Sequence, residues 1–199
     1  MTTVCLRGGG TAASPQWAAA GESSSDEALI RRIAAGDQSA MRALFARHRV
    51  ALYRWLLRLV DDEALAEDLL SEVFLDVWRQ AASFEARSSV STWLLAIARY
   101  KALSARRRRT DAELDDATVA TVPDIADDPE LTLQKKDRAE ALRQSLHRLS
   151  PEHREAIDLA YYHGKSVKEI AEIVGITEAT VKTRMFYARK KLAELVETM

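Results

Sequence analysis

The sequence predicts an all-α protein made of two small helical domains joined by an acidic flexible linker. Three observations carry that expectation. Apolar residues recur at three-and-four spacing in every well-patterned segment, with no alternating strand pattern and no internal repeat. Neither Gly nor Pro occurs from Asp37 to Arg109, so nothing breaks a helical block there. At Thr110 the composition then changes to carboxylates with Pro123 and Pro129.

The reading divides the chain into residues 1–25, a tail; 26–109, a first helical domain; 110–136, the acidic linker; and 137–199, a second helical domain. The tail is rich in Gly, Ala and Ser and has too few large apolar residues to offset its ordering entropy, so disorder is expected. Net charge is only -1 over the 199 residues, but its distribution matters more than its sum. Asp26 to Arg109 carries about +4, Thr110 to Asp137 about -7 and Arg138 to Met199 about +2. Two mildly basic blocks therefore flank an acidic connector.

Ser24 and Glu27 have capping-box spacing for a first helix carrying Leu29, Ile30 and Ile33 and ending at Gly36. Asp37 caps a second, whose apolar stripe holds Met41, Leu44, Phe45, His48, Leu52, Trp55, Leu56 and Leu59. His48 on that stripe reads as a satisfied core histidine, because no partner ligand stands at helical spacing. A third helix starts at Asp61 or Asp62 and buries Leu65, Leu69, Val73, Phe74 and Val77, with Trp78 beside them. A fourth runs from about Val90 to Arg108. After the linker, Leu142, Leu146 and Leu149 mark another helix. Ser150 and Pro151 then form an N-cap with proline at the first helical position, ahead of Ile157, Ala160 and Tyr161 facing the core.

The firmest functional signal lies between Ser166 and Leu195. Ser166 and Glu169 form a capping box, opening a short helix that buries Val167, Ile170, Ala171 and Val174. Gly175 ends it and Thr177 caps the next, where Val181, Met185, Ala188 and Leu192 face inward. Small Ala171, the turn glycine and β-branched Val181 stand where a helix-turn-helix needs them. The opposite face offers Ala179, Thr180, Thr183, Tyr187 and Lys190, flanked by Lys182, Arg184 and Arg189, a mix of donors and cations suited to base edges and phosphates in a major groove. A solvated amphipathic helix would carry the charges alone; it would not need the caps, the small residue and the turn glycine as well.

In the first domain, Asp68, Glu72 and Asp76 recur every four residues, with Arg79 at the end of the stripe. Like charges so spaced cost about 0.2–0.5 kcal/mol per pair, which a basic partner would remove; a plain solvated face is the other reading. Phe84, Arg87, Ser88, Ser89, Thr92, Trp93, Tyr100, Lys101, Ser104 and the run Arg106 to Arg109 interleave aromatics and cations. Unstacked bases need π-faces and their backbone needs positive charge, so single-stranded DNA fits this segment. Taken alone, Trp93 reads as a core residue before a stacking platform, and the arginines read also as the coat of a helix end.

In full, the chain resembles the extracytoplasmic-function sigma factors, the minimal two-domain sigma subunits of bacterial RNA polymerase. The resemblance covers Asp26 to Val196. It rests on Ala66-Glu67-Asp68-Leu69 with Glu72, Phe74 and Trp78; on Thr92-Trp93-Leu94 with Ile97-Ala98; on Leu149-Ser150-Pro151 with Arg154; and on Lys168-Glu169-Ile170-Ala171 through Val181-Lys182-Thr183-Arg184. It implies that Asp68, Glu72, Asp76 and Arg79 dock on the core polymerase. It further implies that Ser83 to Ser104 handles a melted minus-10 element and that Thr180, Lys182, Thr183, Arg184, Tyr187, Arg189 and Lys190 read a duplex minus-35 element. The acidic linker would thread the polymerase's channel, an anti-sigma factor would hold the protein inactive, and initiation would answer stress or an external signal. Glu85 and Tyr100 depart from the family's usual Arg and Asn.

A response-regulator transcription factor shares the helix-turn-helix but needs an upstream receiver, and residues 1–137 show no strand and helix alternation. A helical protein-binding adaptor would not need outward Lys182, Tyr187 and Lys190. With no phosphate-binding Gly loop, no nucleophile and base pair and no ligand cluster, the chain is expected to be no enzyme and to take no metal, cofactor or small-molecule substrate. Without an apolar run of membrane length or a signal-peptide pattern, it is expected in the cytoplasm, with no membrane insertion. Cys5, a lone thiol, is expected to be exposed and inert.

Overall fold

The computed structural model describes residues 25–113, 146 and 148–197. Among these, every regular element is helical. The first domain comprises α1 (Asp26–Ala34), α2 (Gln38–Val60), α3 (Glu63–Gln80), a 3-10 turn (Ala81–Ser83) and α4 (Val90–Glu113); the second comprises α5 (Pro151–Tyr161), α6 (Val167–Val174) and α7 (Glu178–Glu197). The tail, the middle of the linker and the helix expected over Leu142 lie outside the described residues.

The start of each helix follows from its cap. Ser25, rather than Ser24, accepts from the Ala28 amide at 3.2 Å. Asp37 accepts from the Ser39 and Ala40 amides, and Asp62 from Leu65. Ser150 caps α5, with Pro151 behind it supplying a preset φ and no amide to satisfy. α4 runs past Arg108 and past the expected boundary at Arg109, ending at Glu113. Arg109 reaches across to Asp62 at the start of α3 at 3.0 Å and the Thr110 hydroxyl donates to the Arg106 carbonyl, so one tertiary and one local bond hold the helix into the segment expected to be extended.

Leu44, Leu52, Trp55, Leu56, Leu69, Val73, Val77, Leu94 and Ala98 form the buried centre of the first domain. Of the expected core positions, Met41, Leu59, Leu65, Ala160, Val167, Ala171 and Leu192 are half-buried, and three lie further out. Phe45 and Trp78 are 38% and 37% exposed, and Tyr161 is 64% exposed. Phe45 instead packs edge-on against Phe74 at 4.8 Å, while Tyr161 gives its ring and hydroxyl to Arg189. His48 is satisfied, as expected, but half-buried, with Nε2 at 2.6 Å from Asp26.

The two domains are not separated. The apolar cluster of the first domain continues without a break into Ala156, Leu159, Ile170, Ile173, Val174, Val181 and Met185 of the second. α4 packs on α6.

Candidate nucleic-acid interface

Two surfaces carry the residues singled out for DNA, and they are built differently. In the second domain, α6 and α7 meet across the turn Gly175–Ile176–Thr177. Gly175 takes φ +73°, a left-handed position that favours glycine, and its amide returns to the Ala171 carbonyl at 2.9 Å. Ser166 and Glu169 cap α6 reciprocally, and the Thr177 hydroxyl accepts from the Thr180 amide at the start of α7. Buried Val181, Met185 and Ala188 fix the roll of α7.

That roll leaves Thr180, Lys182, Thr183, Tyr187, Arg189 and Lys190 exposed, with Arg184 half-buried at the edge. Among the described residues, neither Lys182 nor Lys190 has a carboxylate partner within ion-pair distance. The Arg189 side chain is aligned by the Tyr161 hydroxyl, 3.2 Å from its Nε. Arg154 sits behind this unit and donates to the Leu146 and Leu149 carbonyls, tying the end of the preceding segment to α5. The helix-turn-helix therefore presents donors and cations outward from a face held by apolar contacts.

In the first domain the candidate residues divide into two groups. Phe84 and Trp93 pack against each other at 4.9 Å, both half-buried, beside a loop in which Arg87 pairs with Glu85. Ala86 holds φ +52° in that loop, a conformation costing about 1–2 kcal/mol for a residue with a Cβ. Ser89 caps α4 by accepting from the Thr92 amide, and Thr92 is buried. Further along α4, Tyr100, Lys101 and Ser104 share a shallow hollow with Glu72 and Arg108. Tyr100 is 70% exposed there.

Lys101 links this surface to the acidic stripe of α3, because its ammonium lies 3.0 Å from Glu72 and 2.8 Å from Asp76. Partial burial disfavours the charge, but the hydrogen bonds that the ammonium donates to Asp76 and Glu72 outweigh it and raise the lysine pKa. Part of the like-charge cost of the stripe is thus offset within the chain. Asp68 faces solvent with Glu67, Ser71 and Leu75, and Arg79 lies 3.9 Å from Asp76.

The family model for Sigma-70 region 2 matches residues 44–111, and that for Sigma-70, region 4 matches 139–192. Together they cover more than half of the chain. The ECF RNA polymerase sigma factor SigL of Mycobacterium tuberculosis is 34% identical over 83% of this chain and 93% of its own. The RNA polymerase sigma factor CarQ of Myxococcus xanthus is 35% identical over 84% and 95%. The chain belongs to the extracytoplasmic-function sigma factors. Two solved structures share its fold. Sigma factor RpoE in complex with the anti-sigma factor NepR, from Bartonella quintana, superposes with a TM-score of 0.65 at 29% identity, covering 77% of this chain and 94% of that one. CnrH in complex with the cytosolic domain of CnrY gives 0.63 at 26%, covering 87% and 97%. As a sigma factor, the protein binds core RNA polymerase and directs promoter-specific initiation of transcription.

One set of pairings escaped the sequence reading. Arg58 pairs with buried Asp158 and lies 4.5 Å over the Tyr162 ring; Arg99 grips Glu155 at 2.6 and 3.3 Å; and Lys165 and Glu169 reach Ser89, Ser91 and Thr92. These pairs are 56 to 100 residues apart in sequence. No local pattern marks them.

Proposed function

We propose that three surfaces divide the work of initiation. The outward stripe Asp68, Glu72, Asp76 and Arg79 on α3 holds the core polymerase. The Phe84 to Ser89 loop with Thr92, Trp93, Tyr100, Lys101 and Ser104 takes the melted minus-10 strand, its aromatics stacking on bases and its cations meeting phosphates. The α7 face from Thr180 to Lys190 enters the major groove at minus-35, with Lys182, Thr183 and Tyr187 toward base edges and Arg184, Arg189 and Lys190 toward the backbone.

The observation that carries this reading is the composition of the outer face of α7. Its donors and cations project from a helix whose other side is locked by Val181, Met185 and Ala188. The positive potential of such a face supplies affinity, and its fixed roll supplies register. Glu85 opposite Arg87 reduces the positive charge of the loop, which shifts its preference away from contacts made through charge alone. The protein acts as a cytoplasmic initiation factor without catalytic chemistry of its own, with an anti-sigma factor as its inhibitory partner; the similar sigma factor RpoE is solved in complex with the anti-sigma factor NepR. No described helix is long and apolar enough to cross a membrane.

Reconstitution tests the reading. Core enzyme plus this chain gives run-off transcripts from a subset of genomic promoter fragments, and Asp68→Lys with Glu72→Lys abolishes the complex with core. Asp68→Lys alone, which leaves the Lys101 bridge in place, weakens it. Unchanged affinity of both variants would return the stripe to a solvated face.

A further inference from the structure

Helical spacing places Tyr161 in the core, yet the structure turns it outward. It is the last residue of α5 and is 64% exposed. Its one polar contact among the described residues runs to α7. Arg189 Nε donates to the Tyr161 hydroxyl at 3.2 Å, and the guanidinium carbon stands 5.9 Å from the centre of the tyrosine ring. Among the described residues no carboxylate lies within ion-pair distance of Arg189, and its two terminal amino groups have no partner.

The contact has a direction. A guanidinium only donates, so the phenol oxygen is the acceptor and its own proton points away from Arg189. Two amino groups of a planar, permanently charged fork and one neutral hydroxyl are thus presented together to solvent. The complement of such a set is an anion with several oxygens. Position along α7 makes that anion a phosphate of the DNA backbone. Arg189 follows Lys182 by seven residues, two helical turns, so the two share one stripe and stand about 10 Å apart along the axis. The major groove is about 12 Å wide, so with Lys182 at its floor Arg189 stands at its wall, where the phosphates run. Tyr161 reaches the same wall from α5, which packs on α7.

We propose that Tyr161 and Arg189 form a two-residue clamp for one phosphate of the duplex flanking the minus-35 element. The tyrosine oxygen holds the arginine through Nε, the terminal amino groups meet the phosphate end-on, and the tyrosine proton is donated to the same group. Because Tyr161 belongs to α5, the clamp ties the entry of α7 into the groove to a second helix. The inference rests on the reading of α7 as the minus-35 reader, and the experiment separates the two.

The test assembles the full chain with core polymerase. Binding is measured to duplexes carrying the minus-35 region of a promoter that this holoenzyme transcribes, each with one phosphate replaced by a neutral methylphosphonate. In the parent, one replacement beside the element weakens binding about tenfold; in Arg189→Ala that position becomes insensitive. On the unmodified duplex Arg189→Ala weakens binding about tenfold. Tyr161→Phe, which keeps the ring and loses the hydroxyl, weakens it about threefold, equally across sequences and with the parental thermal midpoint. The double variant loses clearly less than the product of the single losses, because the two side chains act as a unit. A methylphosphonate profile identical in parent and both single variants would overturn the clamp. So would losses that multiply in full, or a Tyr161→Phe effect confined to thermal stability. Lys182→Ala in the same assay reports on α7 alone. Lost minus-35 discrimination there, with Tyr161→Phe silent, leaves α7 as the reader and removes the clamp; retained discrimination removes the reading of α7 itself.

Discussion

The two surfaces proposed to read DNA in this sigma factor differ in what holds them. The α7 face is fixed from within, by a turn glycine, two caps and three buried side chains of its own domain, and it remains open to solvent. The first turn of α4 is held in part from outside, by a carboxylate and an ammonium that arrive with α6. A surface built from local interactions keeps its shape whatever the other domain does. At the first turn of α4, the Thr92 hydroxyl has Glu169 as a partner only while the second domain is docked.

This contrast can be broken at its apolar centre. Leu159 is fully buried in the cluster that spans both domains, so Leu159→Ala costs about 2–5 kcal/mol and lowers the thermal midpoint. A loss under about 1 kcal/mol by denaturant titration would mean that the domains contribute little to one another's stability.

A smaller effect separates the readers. Lys182→Ala weakens minus-35 recognition by about 1–3 kcal/mol if its ammonium meets a base, while compactness and core binding stay as in the parent. Competition between promoter and unrelated duplexes distinguishes the cases, since a loss equal across all sequences marks a phosphate contact instead.

The smallest effect is that of pH. Burial, with Arg58 and Lys165 nearby, lowers the His163 pKa to about 4 from its ordinary value of 6.5. The docked arrangement of the two domains thus binds fewer protons than any state with hydrated His163. Its stability is full above about pH 6.5 and declines as pH falls toward 4. Glu169, pushed up by burial but brought down further by the Ser166 amide, the Thr92 and Ser166 hydroxyls and Lys165, titrates only near 2, so its contribution persists through that window. Scattering between pH 7.5 and 5 should report progressive expansion, and His163→Gln should flatten the profile. A profile unaltered by that change would assign the pH response to other groups.

How much of this was legible in the sequence follows the same division. The helix-turn-helix was read nearly whole, because its caps, its glycine and its buried spacing lie within about thirty residues and each has a local physical cause. Helix starts at Asp37, Asp62 and Ser150 were legible for the same reason. Periodicity failed where a large aromatic has a polar or edge-on partner, as Tyr161 does in Arg189 and Phe45 in Phe74. The acidic stripe was legible as a stripe, but not its neutralisation by Lys101 from another helix. Nothing local announces that Asp158 will be buried against Arg58, or that the Glu169 which caps α6 will also reach Thr92. Such pairings depend on the docking of domains, which periodicity does not encode.

Energy transfer between the domains tests the central claim most directly. With Cys5→Ser as background, dyes at Ala46→Cys on α2 and Glu172→Cys on α6 occupy exposed positions on the two domains. The account predicts a short, narrowly distributed distance in the parent protein and a longer one in Arg99→Glu, which sets a second carboxylate against Glu155. The same distance in both proteins would contradict it.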